Sequence, residues 1–451
     1  MSVDLVVKNG TVVAPDFSYE ANLVIHGGKF VAITRDKDLP SAKAVVDAAG
    51  CYVLPGIIDA HVHFREPGMT YKEDFATGTT AAACGGVTTI IDMPNVVPIT
   101  STVANFKDRV ALLTPKALVD FGLLAVIVQD NLEEIVPLGK TGVIGFKIFM
   151  GETIGNIPAP DDGAILEAFS NVAKTGLRCG VHAENNQIMQ YLIKKLKAQG
   201  RTDPLAHAES RPNVCEAEAI QRAILFAREA GSRLHIYHMS TKEGVELVGE
   251  AKARGQDVTA ETGPHYLLMG NEDMPRLKSV LKMNPPVRTK DNAEKLWQGL
   301  LDGRVDMIAT DHSPHTPEEK FKDSIFDAIA GFVGVEICVP IMLTEVNKGT
   351  LSINKYVQLA SENPARVWDM YPQKGTIQVG ADGDLTIVDM SREGMVDSDK
   401  LHSKNRITPF NGWKTKGAPV CTIVRGQVVM KEGQITGEPK GRLVCPGVKE
   451  A

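Results

Sequence analysis

Between about residue 52 and residue 370 the chain repeats one pattern eight times: an apolar run of strand length, a polar loop, then a helical pattern. The candidate strands are Cys51–His63, Val87–Met93, Val119–Val128, Val143–Met150, Leu177–Ala183, Arg233–Met239, Gln256–Glu261 and Val305–Asp311. Helical patterns lie between them, as in Asp161–Lys174, which opens on acidic residues, Glu216–Glu229 and Lys290–Leu301. Such alternation calls for parallel strands joined by crossover helices, since a hairpin joins only antiparallel neighbours. Eight units in about 320 residues predict an α/β fold of the closed (β/α)8, TIM-type barrel kind with loop insertions. An open doubly wound sheet is the alternative, but no glycine-rich dinucleotide loop follows the first strand.

The two ends of the chain have a different texture. Leu5-Val-Val-Lys-Asn-Gly10 and Asn22-Leu-Val-Ile-His-Gly-Gly28 read as short strands, with Asn-Gly and Gly-Gly as hairpin signals. Gly383–Asp389 and Cys421–Met430 are strand-like too, with a turn at Arg425-Gly426. The economical arrangement is a small β-sandwich-like domain assembled from residues 1–51 and 371–451, flanking a barrel over 52–370. The chain of 451 residues is 43% hydrophobic and 23% charged, enough for both cores. A formal net charge of −6 without a basic run points away from nucleic acid and anionic membranes as partners. No apolar stretch reaches transmembrane length, and Met-Ser-Val-Asp-Leu lacks the regions of a signal peptide. Seven scattered cysteines without a C-x-x-C pair suit reduced thiols in a cytoplasmic protein.

In a barrel of this kind the chemistry sits at the C-terminal strand ends. Strand 1 ends in His61 and His63, whose i, i+2 spacing points both imidazoles to one face. Strand 4 carries Lys147, strand 5 ends at His182, strand 6 at His238 and strand 8 at Asp311. Four histidines and an aspartate are enough to hold two divalent metal ions, and neighbouring cations need a bridging anion. Desolvation depresses a lysine pKa, and a neutral amine captures carbon dioxide as a carbamate, which would convert Lys147 into that bridge. An ordinary ion pair for Lys147 is the other reading that spacing allows. Bridged ions would activate a water, and Asp311 could carry its proton to a leaving nitrogen. Hydrolysis of an amide or of a phosphoester fits this apparatus. A closed structural metal site fits it less well, since it would leave no group over as a base.

At these residues the chain resembles the amidohydrolase superfamily in its cyclic-amidase branch of dihydroorotases, hydantoinases and allantoinases, from about Leu5 to Met430. The resemblance implies that His61, His63, Lys147, His182, His238 and Asp311 bind two metal ions, zinc ahead of manganese, cobalt or iron, with Lys147 carboxylated on N6. It also implies a small cyclic ureide or amide as substrate and a homo-oligomer, dimer or tetramer. Scaffold proteins similar to dihydropyrimidinases lack these ligands, so a chain that retains all six reads as an enzyme.

Within the branch, His61-Val-His-Phe-Arg65-Glu-Pro-Gly, Met93-Pro-Asn95 and Asp311-His-Ser-Pro-His315 resemble dihydroorotase. There the matching arginine, asparagine and histidine hold the substrate carboxylate; a salt bridge from Arg65 to Glu73 or Asp74 is the competing structural role, and a turn residue that of Asn95. Lys282-Met-Asn284-Pro-Pro is similar to the same enzymes, where hydantoin and allantoin relatives commonly carry alanine for Asn284. Lys147-Ile-Phe-Met-Gly-Glu-Thr153 resembles a form in which the matching threonine rides on a loop that closes over substrate. Val181–Asn185, Arg211–Ala219 and Met370–Gly375 look more like hydantoinases. The expected activity is dihydroorotase, interconverting L-dihydroorotate and N-carbamoyl-L-aspartate in pyrimidine synthesis. A hydantoinase or allantoinase is the alternative.

Overall fold

The computed structural model describes residues 2–151 and 157–447. Eight parallel strands follow one another around the central domain. They are β1 (Ile57–Val62), β2 (Val87–Asp92), β3 (Asp120–Ile127), β4 (Gly145–Phe149), β5 (Arg178–His182), β6 (Arg233–Ile236), β7 (Val258–Thr262) and β8 (Met307–Ile308). Each pairs with the next, as at Thr89↔Asp120, Leu124↔Gly145 and Glu261↔Met307. β3 is buried at every position, as expected of a strand covered by helices outside and side chains inside. The expected TIM-type barrel is therefore present. Its interior is packed by Ile58, Ile91, Leu124, Tyr237, Met307 and Trp368, with Trp368 stacked on Tyr237.

Local sequence accounts for the helices. Asp161 caps Asp162–Ala173 by accepting the Ala164 N–H at 2.8 Å. Asn213–Ala230 begins three residues ahead of the predicted start, directly after the extended Pro212, and stops at Gly231 in the left-handed region. Lys290–Asp302 stops in the same way at Gly303. No described helix is long and apolar enough to cross a membrane.

Three predicted strands differ from the structure, each for a physical reason. Cys51–His63 divides at Gly56: Tyr52–Pro55 belongs to the other sheet, and only Ile57–Val62 enters the barrel. A Cβ at Gly56 would lie 2.2 Å from Thr88 Oγ1, so the crossing between sheets requires glycine. β6 ends at Ile236, two residues short of His238, whose φ of 38° turns the chain out of the ladder. β8 is paired only at Met307 and Ile308, and beyond it the barrel is closed by a single parallel bridge, Val62↔His312.

The second sheet has nine strands, in the path Gln434–Ile435, Gln427–Lys431, Lys414–Val424, Leu385–Met395, Tyr52–Pro55, Val3–Val13, Ser18–His26 and Lys29–Thr34, with Ala42–Asp47 added on Val3–Val13. It is one continuous sheet around its own core, which includes Leu5, Leu23, Phe30, Val53, Leu385 and Ile423. Gly27-Gly28 and Arg425-Gly426 form the expected tight turns, both residues of each with positive φ. Asn9-Gly10 does not: it is a bulge inside Val3–Val13, and the strand runs on past it. The segment 441–444 runs to the start of β3, where the Phe121 N–H donates to the Arg442 carbonyl and the Val444 N–H donates to the Phe121 carbonyl.

One buried ion cluster ties the sheet domain to the foot of the barrel. The Lys374 ammonium, 2% exposed, lies 2.5 Å from Asp120 at the start of β3, 2.6 Å from Asp384 and 3.0 Å from Asp382. Arg425 shares Asp120. Burial pulls the Lys374 ammonium down, but Asp384, Asp120 and Asp382 together hold it above its ordinary value. Removing the cation would leave three buried carboxylates with too little positive charge. Lys374→Met is therefore expected to lower the unfolding free energy by about 3–5 kcal/mol, as for other broken buried ion pairs. A urea midpoint equal to that of the wild type, followed by circular dichroism, would contradict this.

Candidate active site

The C-terminal ends of the barrel strands surround a cavity lined by His61, His63, Arg65, Asn95, Lys147, Phe149, His182, Met283, Asn284, His238, Asp311, Ser313 and Ala330. All six residues predicted from the strand ends meet here. His61 Nε2 lies 3.3 Å from Asp311 Oδ1 and 3.2 Å from Lys147 Nζ. His63 Nε2 lies 3.1 Å from the same carboxylate oxygen, and His182 Nδ1 lies 2.9 Å from His238 Nε2. His61, His238 and Asp311 alone bring three ligand atoms within 4.8 Å of one another.

Tautomers are set from behind. His61 Nδ1 donates to Glu261 Oε1 at 2.5 Å, and the same carboxylate accepts from His235 Nε2 at 3.2 Å and from the His238 backbone N–H at 3.3 Å. Burial drives both partners of the His61–Glu261 pair toward neutral forms. Positive charge on the Nε2 side favours the form with the proton on Nδ1 and the charge on Glu261. His182 Nε2 donates to Glu184 Oε2 at 2.9 Å, and Arg211 holds the same carboxylate. The lone pairs of His61 Nε2 and His182 Nδ1 are thereby turned into the cavity, an arrangement typical of metal-ligating histidines. Glu261 and Glu184 were not singled out from the sequence. Glu261 was legible as the acid ending predicted strand 7, and Glu184 sits in Val181–Asn185, the stretch that looks like hydantoinases.

Burial depresses all four histidines and leaves them neutral, hence able to accept a cation. Lys147 is pulled down to about 8 by burial, despite Asp311 and Glu261, and its Nζ sits 4.0 Å over the Tyr237 ring. Asp311 is pushed up to about 7 by burial, against the pull of Lys147 and Arg65. The donor set, neutral imidazoles with one carboxylate and one amine close to neutrality, fits divalent transition metals.

Arg65 is 1% exposed, and burial pulls it down to about 10. It pairs with neither Glu73 nor Asp74: Glu73 faces Thr77 and His312, while Asp74 caps Phe75–Cys84 and binds Lys404. Its Nη2 donates to Ser313 Oγ and lies 3.3 Å from His315 Nε2, while Nε and Nη1 have no partner among the described residues. Asn95 and Asn284 share the cavity wall, and Asn284 Oδ1 is also without a partner among the described residues. His315 is not in the wall. It stands behind Arg65, with Lys72 and Glu319 on its other side. Thr153 lies outside the described residues.

Comparison with known proteins bears on the same chemistry. Residues 52–429 match the model of the amidohydrolase family. The chain is 40% identical over 441 residues to an L-hydantoinase of Paenarthrobacter aurescens, covering 96% of both chains. It is 38% identical to an allantoinase of Deinococcus radiodurans, covering 99% of each. Identity to a dihydroorotase of Methanosarcina acetivorans is 37%, over 97% of this chain and 94% of the other. The solved L-hydantoinase (dihydropyrimidinase) of Arthrobacter aurescens superimposes with a TM-score of 0.96 at 39% identity, covering 98% of this chain and 100% of that one. With a histidine-rich cavity at the barrel mouth and likeness along nearly its whole length, the chain belongs to the amidohydrolase family, as a hydrolase of cyclic amide bonds.

Proposed function

We propose that the ring this enzyme opens carries a carboxylate, and that the substrate is L-dihydroorotate, interconverted with N-carbamoyl-L-aspartate. The observation that carries the reading is Arg65. Its guanidinium is buried, two of its nitrogens, Nε and Nη1, lack acceptors among the described residues, and its hydrogen bonds go to the uncharged Ser313 and His315. A buried cation left in this state costs several kcal/mol. A substrate carboxylate would complete it with charge-assisted hydrogen bonds, and the amides of Asn95 and Asn284 would add more. His315 acts in this reading through Arg65, which it braces from behind.

The relatives named hydantoinase and allantoinase support a second reading, in which the ring is a five-membered ureide. Neither hydantoin nor allantoin carries a carboxylate, and either would leave Arg65 unpaired. For this reason dihydroorotate comes first.

The residues fit two divalent ions, zinc first: His61, His63 and Asp311 form one group of donors, His182 and His238 the other. Lys147, carboxylated on N6, would join them. When bound, such ions lower the pKa of a water and polarise the scissile carbonyl. The chain's own groups do the rest. Asp311 receives the proton of the attacking water and returns it to the departing ring nitrogen. Glu261 and Glu184 keep His61 and His182 in the tautomers that present lone pairs. Arg65 sets the ring so that the amide bond faces Asp311.

Three outcomes test this reading. Lys147→Ala should lose most bound metal, read by elemental analysis, together with activity; short carboxylic acids in excess should restore part of both. Full metal content with normal turnover would rule out the bridging role. Asp311→Asn should lower kcat by about 10²–10⁴-fold, the usual worth of a general acid–base group. In the wild type the rate of hydrolysis should fall as pH drops through about 7, where Asp311 takes up a proton and can no longer act as base. The variant should lack that acid limb. Finally, kcat/KM should favour dihydroorotate over dihydrouracil, which lacks the carboxylate, by about 10⁴–10⁵, as for sites whose buried donors go unpaired. That ratio should collapse in Arg65→Met with metal content intact. A wild type that opens hydantoin or allantoin well and dihydroorotate poorly would overturn the substrate assignment.

A further inference from the structure

A second group of metal-capable side chains stands apart from the cavity. Cys84 closes the helix Phe75–Cys84, Glu336 precedes the helix Cys338–Lys348, and His402 follows the short turn Ser398–Lys400. None of the three lines the cavity, and all are half-buried, so small solutes reach them. Cys84 Sγ lies 3.7 Å from His402 Nε2. On the other side of the ring, His402 Nδ1 donates to Glu336 Oε1 at 2.8 Å, and the His402 backbone N–H donates to Glu336 Oε2 at 2.8 Å.

Glu336 therefore grips one residue twice. The grip assigns a proton to Nδ1 and turns Nε2 toward the thiol; the same carboxylate raises the imidazole's pKa, so a cation also has to displace the Nε2 proton where the ring is charged. Carboxylate, imidazole and open lone pair in this order recur behind metal-ligating histidines. The spacing agrees: bonds of about 2.3 Å to sulfur and about 2.0–2.1 Å to nitrogen, at a tetrahedral angle, separate the two donors by about 3.6 Å. Ligand atoms of all three residues lie within 4.8 Å of one another. A thiol nucleophile activated by this histidine is the competing use of the trio. Burial, with Glu336 adding to it, pushes Cys84 up to about 12, which keeps the thiol protonated and unreactive unless a cation displaces the proton.

We propose that Cys84 and His402, with Glu336 orienting the imidazole, form a separate site for one thiophilic divalent ion of the zinc class. Binding forms a metal–thiolate bond and a metal–imidazole bond and releases to solvent the thiol proton and, from the charged ring, the Nε2 proton, with water completing the coordination.

Cobalt(II) is the probe, added to the full-length, metal-loaded protein. No cysteine lines the cavity, so a thiolate-to-cobalt charge-transfer band in the near ultraviolet reports a site elsewhere. The band should saturate at one equivalent, with release of at least one proton per ion. It should vanish in Cys84→Ser and in His402→Gln, and Glu336→Gln should weaken cobalt affinity by about 10–100-fold, the usual effect of losing an orienting partner. His402 is half-exposed, so its variant serves as the second test should Cys84→Ser fold poorly. A wild-type protein without the band, or a band that survives either substitution, overturns the proposal.

Discussion

The geometry of the barrel mouth depends on how the last strand meets the first. β8 has only two paired residues, too few for a ladder to hold the seam. Asp59, 3% exposed, supplies what the ladder lacks: its carboxylate accepts the Thr310 N–H at 3.1 Å, the Thr310 hydroxyl at 2.5 Å and the His61 N–H at 3.3 Å. Beyond it the His63 N–H reaches the His312 carbonyl at 2.8 Å. His61 and His63 stand on one side of this seam and Asp311 on the other. Their approach to 3.1–3.3 Å is thus a consequence of Asp59 as much as of the residues themselves. The seam is side-chain mediated, so it allows the chain after β8 to turn away toward the cavity where a regular strand would have run straight on.

That turning has an energetic signature. Arg65, His238 and Asp311 all have φ between 38° and 57°, in the left-handed region that non-glycine residues seldom occupy. Each such residue costs on the order of 1–3 kcal/mol and persists only where its surroundings over-determine it. Here the surroundings are a barrel whose interior is filled to the level of Tyr237, directly beneath Lys147. Glycine would relieve the backbone at any of the three positions but would remove the side chain the turn exists to present. Arg65 adds a buried charge to its backbone strain. Asp311, Asp92 and Glu319 favour that charge from a distance but do not bond it, and a ligand anion would supply the missing direct partner.

Much of this was legible in the sequence, and the failures are informative. Barrel architecture follows from hydrophobic periodicity, which is robust over eight repeats. The ends of strands are less so. Cys51–His63 reads as one apolar run because both sheets want apolar residues there; only Gly56, with no room for a Cβ, marks the crossing. Asn9-Gly10 carries the composition of a hairpin, yet Val3–Val13 continues because Ser18–His26 pairs with it on both sides of the bulge, while its other edge passes from Ala42–Asp47 to Tyr52–Pro55. The six strand-end residues could be found because a barrel sends strand ends to one place. His315 shows the limit of such reasoning. A motif places a residue near a site without giving the direction of its side chain, and this one faces the back of Arg65. Glu261 and Glu184 were overlooked because acids behind histidines carry no spacing rule of their own.

The nine-stranded sheet also imposes an order of events on the nascent chain. Tyr52–Pro55 pairs on one edge with Val3–Val13, available at once, and on the other with Leu385–Met395, which the ribosome makes some 330 residues later. At about 5–20 residues per second that edge waits on the order of 15–65 s for its partner. Through that interval the apolar face that Leu385, Ile387 and Ile423 will cover stands open beside an unpaired strand, a combination that invites association with other chains. The whole barrel must meanwhile be made, and it leads residue 385 back to the edge where Tyr52–Pro55 waits. For this protein the catalytic domain is also the tether that brings the two halves of its neighbour together.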